Sequence, residues 1–463
     1  MCDDKMASEL IEENKVVLLH VKDIYKPIRL VKRRKIKFDK ISFVPDAAIG
    51  LPYGSEFEVA RGNLILVKEE ERRGEEGTIS QLTEVAVVES AKDNRLIVDD
   101  GLSQKLSHEE IHQMKKDGMS GQEILESVVQ GSSSFKDRTK FSQEKYVKKK
   151  YKRHSHVLSI IKPTTRLIAQ YYYAKGPSKI CHLRLDMLSQ ILTLGNVHAH
   201  SRIVVMETCQ GLLTGAVLER LGGCGQVVQV FFGDKPVRDA LDVFAHLSER
   251  ERSVLLEYPL HRLGQLLTGE GGKEIELQLP PGAPLEDDTE NNEGSSTRGE
   301  DIREEDDDEF EDEEEECGAA KKRRIEEEPA GPLPLAPTNE DEEKERRRRE
   351  RELLYEGAAA VLNERNMDGL LIACRFYPEP ILMSLINFIG PSRPVVVYSQ
   401  FQEPLVRCYQ KLKESESGTA FNIQLSETWL RHYQVLSGRT HPAVSMDGQS
   451  GYLLYFTTIS NIN

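Results

Sequence analysis

The chain has 463 residues, with 77 Asp and Glu against 62 Lys and Arg and a formal net charge of −15, long enough for two or three domains with a core in each. No apolar run approaches the roughly 20 residues of a membrane span, and no basic-then-apolar pattern opens the sequence. The 7 cysteines are scattered without a C-x-x-C pair, which excludes a disulfide framework or zinc site as the organising principle and suits a reducing compartment.

Residues 1–13 are expected to be a disordered tail. Over residues 14–67, short β-branched runs at 16–21, 28–31, 35–42 and 56–59 alternate with Gly50, Pro52, Gly54 and Gly62; this spacing predicts a small β-barrel domain. Residues 68–154 read as a linker and a basic helical segment. Within it, Ser107 and Glu110 form a capping box ahead of helical spacing at Ile111, Met114, Ile124 and Val128, broken at Gly118. A second, strongly basic helix is expected over 142–151.

From residue 155 the pattern changes to strands alternating with helices. A buried-type strand at 202–206, a helix at 212–221, a glycine stop at Gly222 and Gly223, and a strand at 226–231 form a βαβ unit of a doubly wound sheet. The alternation resumes with a helix ending at Asn363, strands at 369–373 and 394–398, helices at 380–388 and 403–413, and a last strand at 452–457. Residues 286–316 hold 19 acidic residues against 2 Arg, so the acidity belongs to one segment and a basic face can exist elsewhere. The surrounding stretch, 269–345, has too few apolar residues to offset its ordering entropy and is expected to be a disordered acidic insertion. The expected fold class is therefore α/β: an N-terminal β-barrel domain plus a C-terminal Rossmann-like class I methyltransferase domain with a degenerate cofactor site, split into 155–268 and 346–463.

A methyl-donor site on such a sheet needs glycines in the first turn, for close backbone approach, and an acid at the end of the second strand for the ribose hydroxyls. Here the turn runs Glu207-Thr208-Cys209-Gln210-Gly211-Leu212-Leu213-Thr214, and glycine survives only at 211. The second strand ends in Phe231-Phe232-Gly233, with Asp234 one step too late. The local pattern alone also allows an α/β unit of another kind that never bound this donor.

Longer blocks decide between these. NRLIVDDG at 94–101 with SQKL at 103–106, LTLGN at 192–196, METC at 206–209, NERN at 363–366, PSRP at 391–394 and LSETWLR at 425–431 resemble, in order along the chain, the non-catalytic subunits of the eukaryotic two-subunit tRNA (adenine-N1) methyltransferases, which act on a T-loop adenosine. The resemblance implies a β-barrel followed by a methyltransferase domain. It also implies a catalytic partner that binds S-adenosylmethionine, assembly as a heterotetramer of two heterodimers, tRNA as a ligand, no membrane, and no cofactor, metal or catalytic residue in this chain. Catalytic subunits carry an Asp in a D-L-P-like motif after a later strand; the matching stretch, Ile372-Ala373-Cys374-Arg375-Phe376-Tyr377-Pro378, has Arg375 and no carboxylate. Two alternatives remain at this point: an autonomous methyltransferase using Glu207 and Asp234, and a translation-associated RNA-binding protein.

Cations with interleaved aromatics are what RNA phosphates and exposed bases recognise. Lys145, Lys148, Lys149, Lys150, Lys152 and Arg153, with Tyr146 and Tyr151 among them, form one such run, although a charge run also serves as a solvated helix face or a localisation signal. With the resemblance, the candidate RNA-binding set becomes that run without Tyr151, plus Asn94, Arg95, Gln104, Lys175, Lys179, His182, Arg347, Arg375, Lys413, Arg439 and His441. Arg375 reads equally as a surface ion-pair partner. The run at Lys32-Arg33-Arg34-Lys35 suits a protected sheet edge, and Lys321-Lys322-Arg323-Arg324 suits a nuclear import signal, so the expected location is the nucleus. Trp429 and Tyr433 are expected to pack in the core or against a partner.

Overall fold

The computed structural model describes residues 9–21, 24–38, 41–67, 104–116, 119, 121–133, 135, 143, 146–147, 150, 157–268, 278–279, 339–414, 419–435, 440–444, 446 and 448–459. The N-terminal strands are β1 (Val16–Val21), β2 (Ile24–Arg29), β3 (Ile36–Phe38), β4 (Ile41–Phe43), β5 (Glu56–Ala60) and β6 (Asn63–Leu66), joined by β7 (Val157–Ile161). They form a five-stranded antiparallel sheet in the order β2-β1-β7-β5-β6, with β3 and β4 as a separate hairpin. The expected barrel is thus not what the strand pairing gives: among the described residues the sheets are open, with β2 and β6 at the edges. The middle strand comes from residues 157–161, beyond the barrel boundary expected from sequence. A local β pattern cannot show a strand that returns from so far along the chain to separate β1 from β5.

Alternation along β1 lets this sheet face two cores. Val17 and Leu19 point into the N-terminal core with Phe43, Phe57, Leu158 and Ile160. Leu18 points the other way, into the core of the second domain beside Ile168. Ahead of β7, Ser107 and Glu110 make the expected capping box: the Ser107 N–H donates to the Glu110 carboxylate at 2.9 Å and the Glu110 N–H to the Ser107 hydroxyl at 3.2 Å. Helices His108–Lys116 and Gly121–Gly131 follow.

The second sheet contains β8 (Arg202–Glu207), β9 (Gln226–Phe231), β10 (Leu255–Pro259), β11 (Gly369–Ala373), β12 (Pro394–Ser399), β13 (Ala420–Trp429) and β16 (Gln449–Thr458); β14 (Tyr433–Gln434) and β15 (His441–Pro442) pair apart from it. Its order is β10-β9-β8-β11-β12-β16-β13, parallel from β10 to β12 and antiparallel at β16 and β13. Helices cover both faces, so the parallel strands read as unbroken apolar runs whose alternate residues serve opposite layers. Ile203, Val205 and Leu371 meet helices Leu185–Leu194 and Leu212–Leu221 on one side; Val204, Met206 and Ile372 meet Ala358, Leu382 and Leu405 on the other. This is the doubly wound, Rossmann-like domain of the sequence reading. Most of the acidic insertion lies outside the described residues. Two parts of the expected insertion are ordered nonetheless: residues 339–345 belong to helix Asn339–Asn363, and the Gln278 carbonyl accepts from the Tyr377 N–H at 2.8 Å.

The turn after β8 fixes the point where the strand order reverses. Gln210 and Gly211 are both left-handed, at φ 61° and 80°, which brings the chain round so that the buried Glu207 carboxylate faces the start of helix Leu212–Leu221. Glu207 accepts from the N–H groups of Leu213 (3.2 Å) and Thr214 (2.6 Å) and from the Thr214 hydroxyl. It thereby satisfies donors that a helix N-terminus otherwise leaves unpaired. Burial pushes its pKa above the ordinary carboxylate value, against the downward pull of these hydrogen bonds. Glu207→Ala is expected to cost about 1–3 kcal/mol, because buried donors lose their acceptor, whereas Glu207→Gln, which keeps a carbonyl, costs less. The urea midpoint of unfolding checks this, and an unchanged midpoint in the alanine variant would contradict the capping role.

Candidate functional site: a closed donor crevice with a basic rim

In open α/β sheets, ligands bind beyond the carboxyl ends of the strands where the order reverses, here between β8 and β11. Three features fill that crevice. The first is the Glu207 cap: its carboxylate is turned into the helix and not toward a ligand.

The second is the segment after β9. The Ala240 N–H donates to the Gln210 carbonyl at 2.8 Å, and a Cβ on Gly211 would stand 3.1 Å from the Arg238 Cα and 3.2 Å from the Leu241 Cβ. The glycine is needed so that this segment can lie against the turn, the close approach a donor would otherwise use. Arg238 reaches inward, its Nε donating to the Gln229 side-chain oxygen at 2.7 Å, with Glu257 at 3.5 Å. Burial lowers its pKa, opposed by the carboxylates of Glu257, Glu207 and Asp242.

The third is aromatic. Where an acid would hold the ribose, Phe231 packs on Tyr355 of helix Asn339–Asn363, ring centroids 6.1 Å apart. Phe232 meets Phe376 edge to face at 5.1 Å. These rings follow β9 and β11, the two neighbours of β8, so the pair spans the end of β8. Asp234 lies on the exposed turn beyond them. The residues present do not fit an adenosyl methyl donor: the first turn is covered, the carboxylate is used, and the ribose position is aromatic. Among the described residues there is also no His, Cys, Asp and Glu group able to hold a metal ion, and no helix long and apolar enough to cross a membrane.

Beneath the crevice, Thr208 ties two loops together. Its hydroxyl accepts from the Arg375 N–H at 2.9 Å and lies 3.3 Å from the Cys181 Sγ. Cys181 and Cys209 are neighbouring buried thiols, and the Cys209 thiol donates to the Ala373 carbonyl at 3.3 Å; the adjacent Cys181 and then burial raise the Cys209 pKa. Burial pushes Cys374 up to about 12, so it is a neutral packing group. Tyr398 donates to the carbonyls of Cys181 (2.9 Å) and Ser450 (2.6 Å). The loop bearing Lys175, Lys179 and His182 is thus fixed to the same strand ends as Arg375.

The structure therefore brings together Lys175, Lys179, His182 and Arg375 of the sequence-derived set. Lys175 sits at the end of helix Thr165–Lys175 with its Nζ 5.6 Å from the Tyr171 ring centroid. Lys179 lies exposed in the turn Pro177–Ile180, and His182 follows with φ 55°. Gln104 serves the fold: its amide donates to the Val128 carbonyl at 2.9 Å and accepts from the Leu106 N–H at 3.3 Å. Tyr146 packs on Phe135 at 5.6 Å with the Lys150 Nζ 5.6 Å from its ring, at the edge of a small core of Leu125, Val129, Phe135 and Val147. Lys413 ends helix Gln402–Glu414, its Nζ 5.7 Å from the Tyr409 ring. That helix packs through Leu405, Cys408 and Leu412 on the opposite face of the sheet from the helix that carries Lys175. His441 is exposed on β15. Arg347 lies in helix Asn339–Asn363, beside the exposed Arg346, Arg348 and Arg349. Asn94, Arg95, Lys145, Lys148, Lys149, Lys152, Arg153 and Arg439 lie outside the described residues. Sequence reading missed Arg238, Gln229 and the Phe232–Phe376 pair; Phe232 in place of an acid was the only signal for them.

Comparison with known proteins shows the family. Residues 10–316 match the Gcd10p family. The chain is 40% identical over 465 residues to the mouse (Mus musculus) protein named tRNA (adenine(58)-N(1))-methyltransferase non-catalytic subunit TRM6, covering 98% of this chain and 90% of that one. A protein of the same description from Dictyostelium discoideum is 31% identical over 98% of this chain and 81% of its own length. Among solved structures, the tRNA (m1A58) methyltransferase TrmI from Aquifex aeolicus aligns over 98% of this chain and 100% of its own, at 11% identity and a TM-score of 0.40, too remote to add to the argument. With the family match and the full-length identity to its relatives together, the chain belongs to the Gcd10p family.

Proposed function

We propose that this chain is the non-catalytic, tRNA-binding subunit of a two-subunit, S-adenosylmethionine-dependent tRNA adenine-N1 methyltransferase. The observation that carries the reading is the inward-turned Glu207, in a crevice also closed by Arg238 and the Phe232–Phe376 pair, beside a rim that gathers Lys175, Lys179, His182 and Arg375. The names of the mouse and Dictyostelium relatives support the same role. The donor then resides in the catalytic partner, and this chain binds none. It supplies cations that neutralise phosphates and hold the tRNA against the partner's active site. The assembly is a heterotetramer of two heterodimers, and the basic run at Lys321-Lys322-Arg323-Arg324 directs it to the nucleus.

Methyl transfer to tRNA tests the reading directly. The chain alone is expected to give no product, the partner alone little, and the two together full activity. Product from this chain alone would overturn it.

The basic run gives a second expectation. Replacing Lys148, Lys149 and Lys150 with Ala is expected to weaken tRNA binding by the complex and flatten the dependence of log K on log salt by about one unit per lost phosphate contact. An unchanged slope in filter binding across a salt series would assign the run to localisation or solubility.

A further inference from the structure

The end of β13 carries an aromatic and cationic group that neither the crevice nor the basic runs include. Trp429 is 64% exposed and Tyr433 56% exposed, so of the two places expected for them, the core and a partner interface, the core is excluded. Between them, the Arg431 guanidinium carbon lies 5.7 Å from the Trp429 ring centroid and 5.9 Å from that of Tyr433. Arg431 thus links the two rings, on the short segment that joins β13 to β14.

This arrangement is built in advance. Trp429 pairs with Gln449 in the β13–β16 ladder, and the preceding residue, Thr428, donates to the Asp186 carboxylate at 2.7 Å. Asp186 is held in turn by the Arg184 guanidinium at 2.6 and 2.9 Å. The indole edge rests on Gly448, where a Cβ would stand 2.7 Å from the indole nitrogen. Tyr433 pairs with Pro442 across β14 and β15, and the Ala443 N–H donates to the His432 carbonyl at 2.8 Å. Exposed aromatic faces already fixed in position, with a cation between them, cost little ordering entropy when a flat ring joins the stack.

We propose that Trp429, Arg431 and Tyr433 form a stacking shelf for an unpaired nucleobase of the bound RNA. The proposal rests on the tRNA-binding reading above and extends it to a contact of a different kind, with a base and not a phosphate. Charge favours RNA as the occupant: the Arg431 guanidinium lies against both rings.

Trp429 is the chain's only tryptophan, so its fluorescence reports on the shelf alone. Titrating the full chain with tRNA is expected to quench that emission as a base stacks on the indole. In the assembled complex, Trp429→Ala and Tyr433→Ala are each expected to weaken tRNA binding about tenfold, in the range of single base–aromatic stacks. Trp429→Phe should recover most of the loss. The salt slope stays unchanged in all three, because no phosphate contact is removed; this separates the shelf from the lysine run. If wild type binds tRNA without quenching and both alanine variants bind as wild type does, the shelf is wrong while the tRNA-binding reading stands. Should Trp429→Ala instead release the catalytic partner with tRNA affinity intact, the face is a protein interface and the proposal falls. Absence of tRNA binding by the wild-type complex would remove both readings together.

Discussion

The contact between the Glu207 carboxylate and the start of helix Leu212–Leu221 sets the character of the methyltransferase-like domain. A helix N-terminus at the switch point of a parallel sheet presents unpaired N–H groups and a partial positive charge, which makes it an anion site. Here an internal carboxylate takes that place, accepting from Leu213, Thr214 and the Thr214 hydroxyl. What would be a ligand site becomes a joint in the fold. Once the joint is closed, Gly211 no longer needs open space, and the Arg238–Leu241 segment can lie against it.

Closing the crevice frees the strand ends for another use. Thr208, just past β8, holds the Arg375 backbone and contacts Cys181, while Tyr398 holds the Cys181 carbonyl. The basic loop at 175–182 is thereby anchored to the same layer of strand ends as Arg375. The Rossmann-like sheet thus holds the backbone of both basic segments, at Cys181 and at Arg375, while the Lys175 and Lys179 side chains stay exposed. Helix Asn339–Asn363, which carries the run Arg346 to Arg349, is held against the end of β9 through Tyr355 on Phe231 and through Glu352, paired with Arg262 at 2.6 and 2.8 Å.

Much of this was legible in the sequence, for local reasons. The βαβ unit showed itself because buried parallel strands need unbroken β-branched runs, and Gly222 stops the helix in a left-handed conformation. The Ser107–Glu110 capping box and the degenerate turn at 207–214 were readable from spacing alone. What escaped depends on contacts between distant residues. The pairing of β7 between β1 and β5 joins it to segments 143 residues (Leu18 with Ile161) and 103 residues (Glu56 with Ser159) away in the chain, and among the described residues the sheet is open where a barrel was expected. The Phe232–Phe376 pair and the Arg238–Gln229 bond likewise need the strand order before they can be seen. Trp429 and Tyr433 were expected in the core or against a partner; their exposure excludes the core, and it follows for Trp429 from its place at the end of a strand, with its indole edge on Gly448.

The proposed absence of a methyl donor from this chain has a direct test. The most direct measurement is the stoichiometry of labelled S-adenosylmethionine bound at saturation to the complex purified with its catalytic partner, by equilibrium dialysis. One donor per pair of subunits is the predicted result, unchanged when Glu207 is replaced by Gln. Two donors per pair would contradict the account.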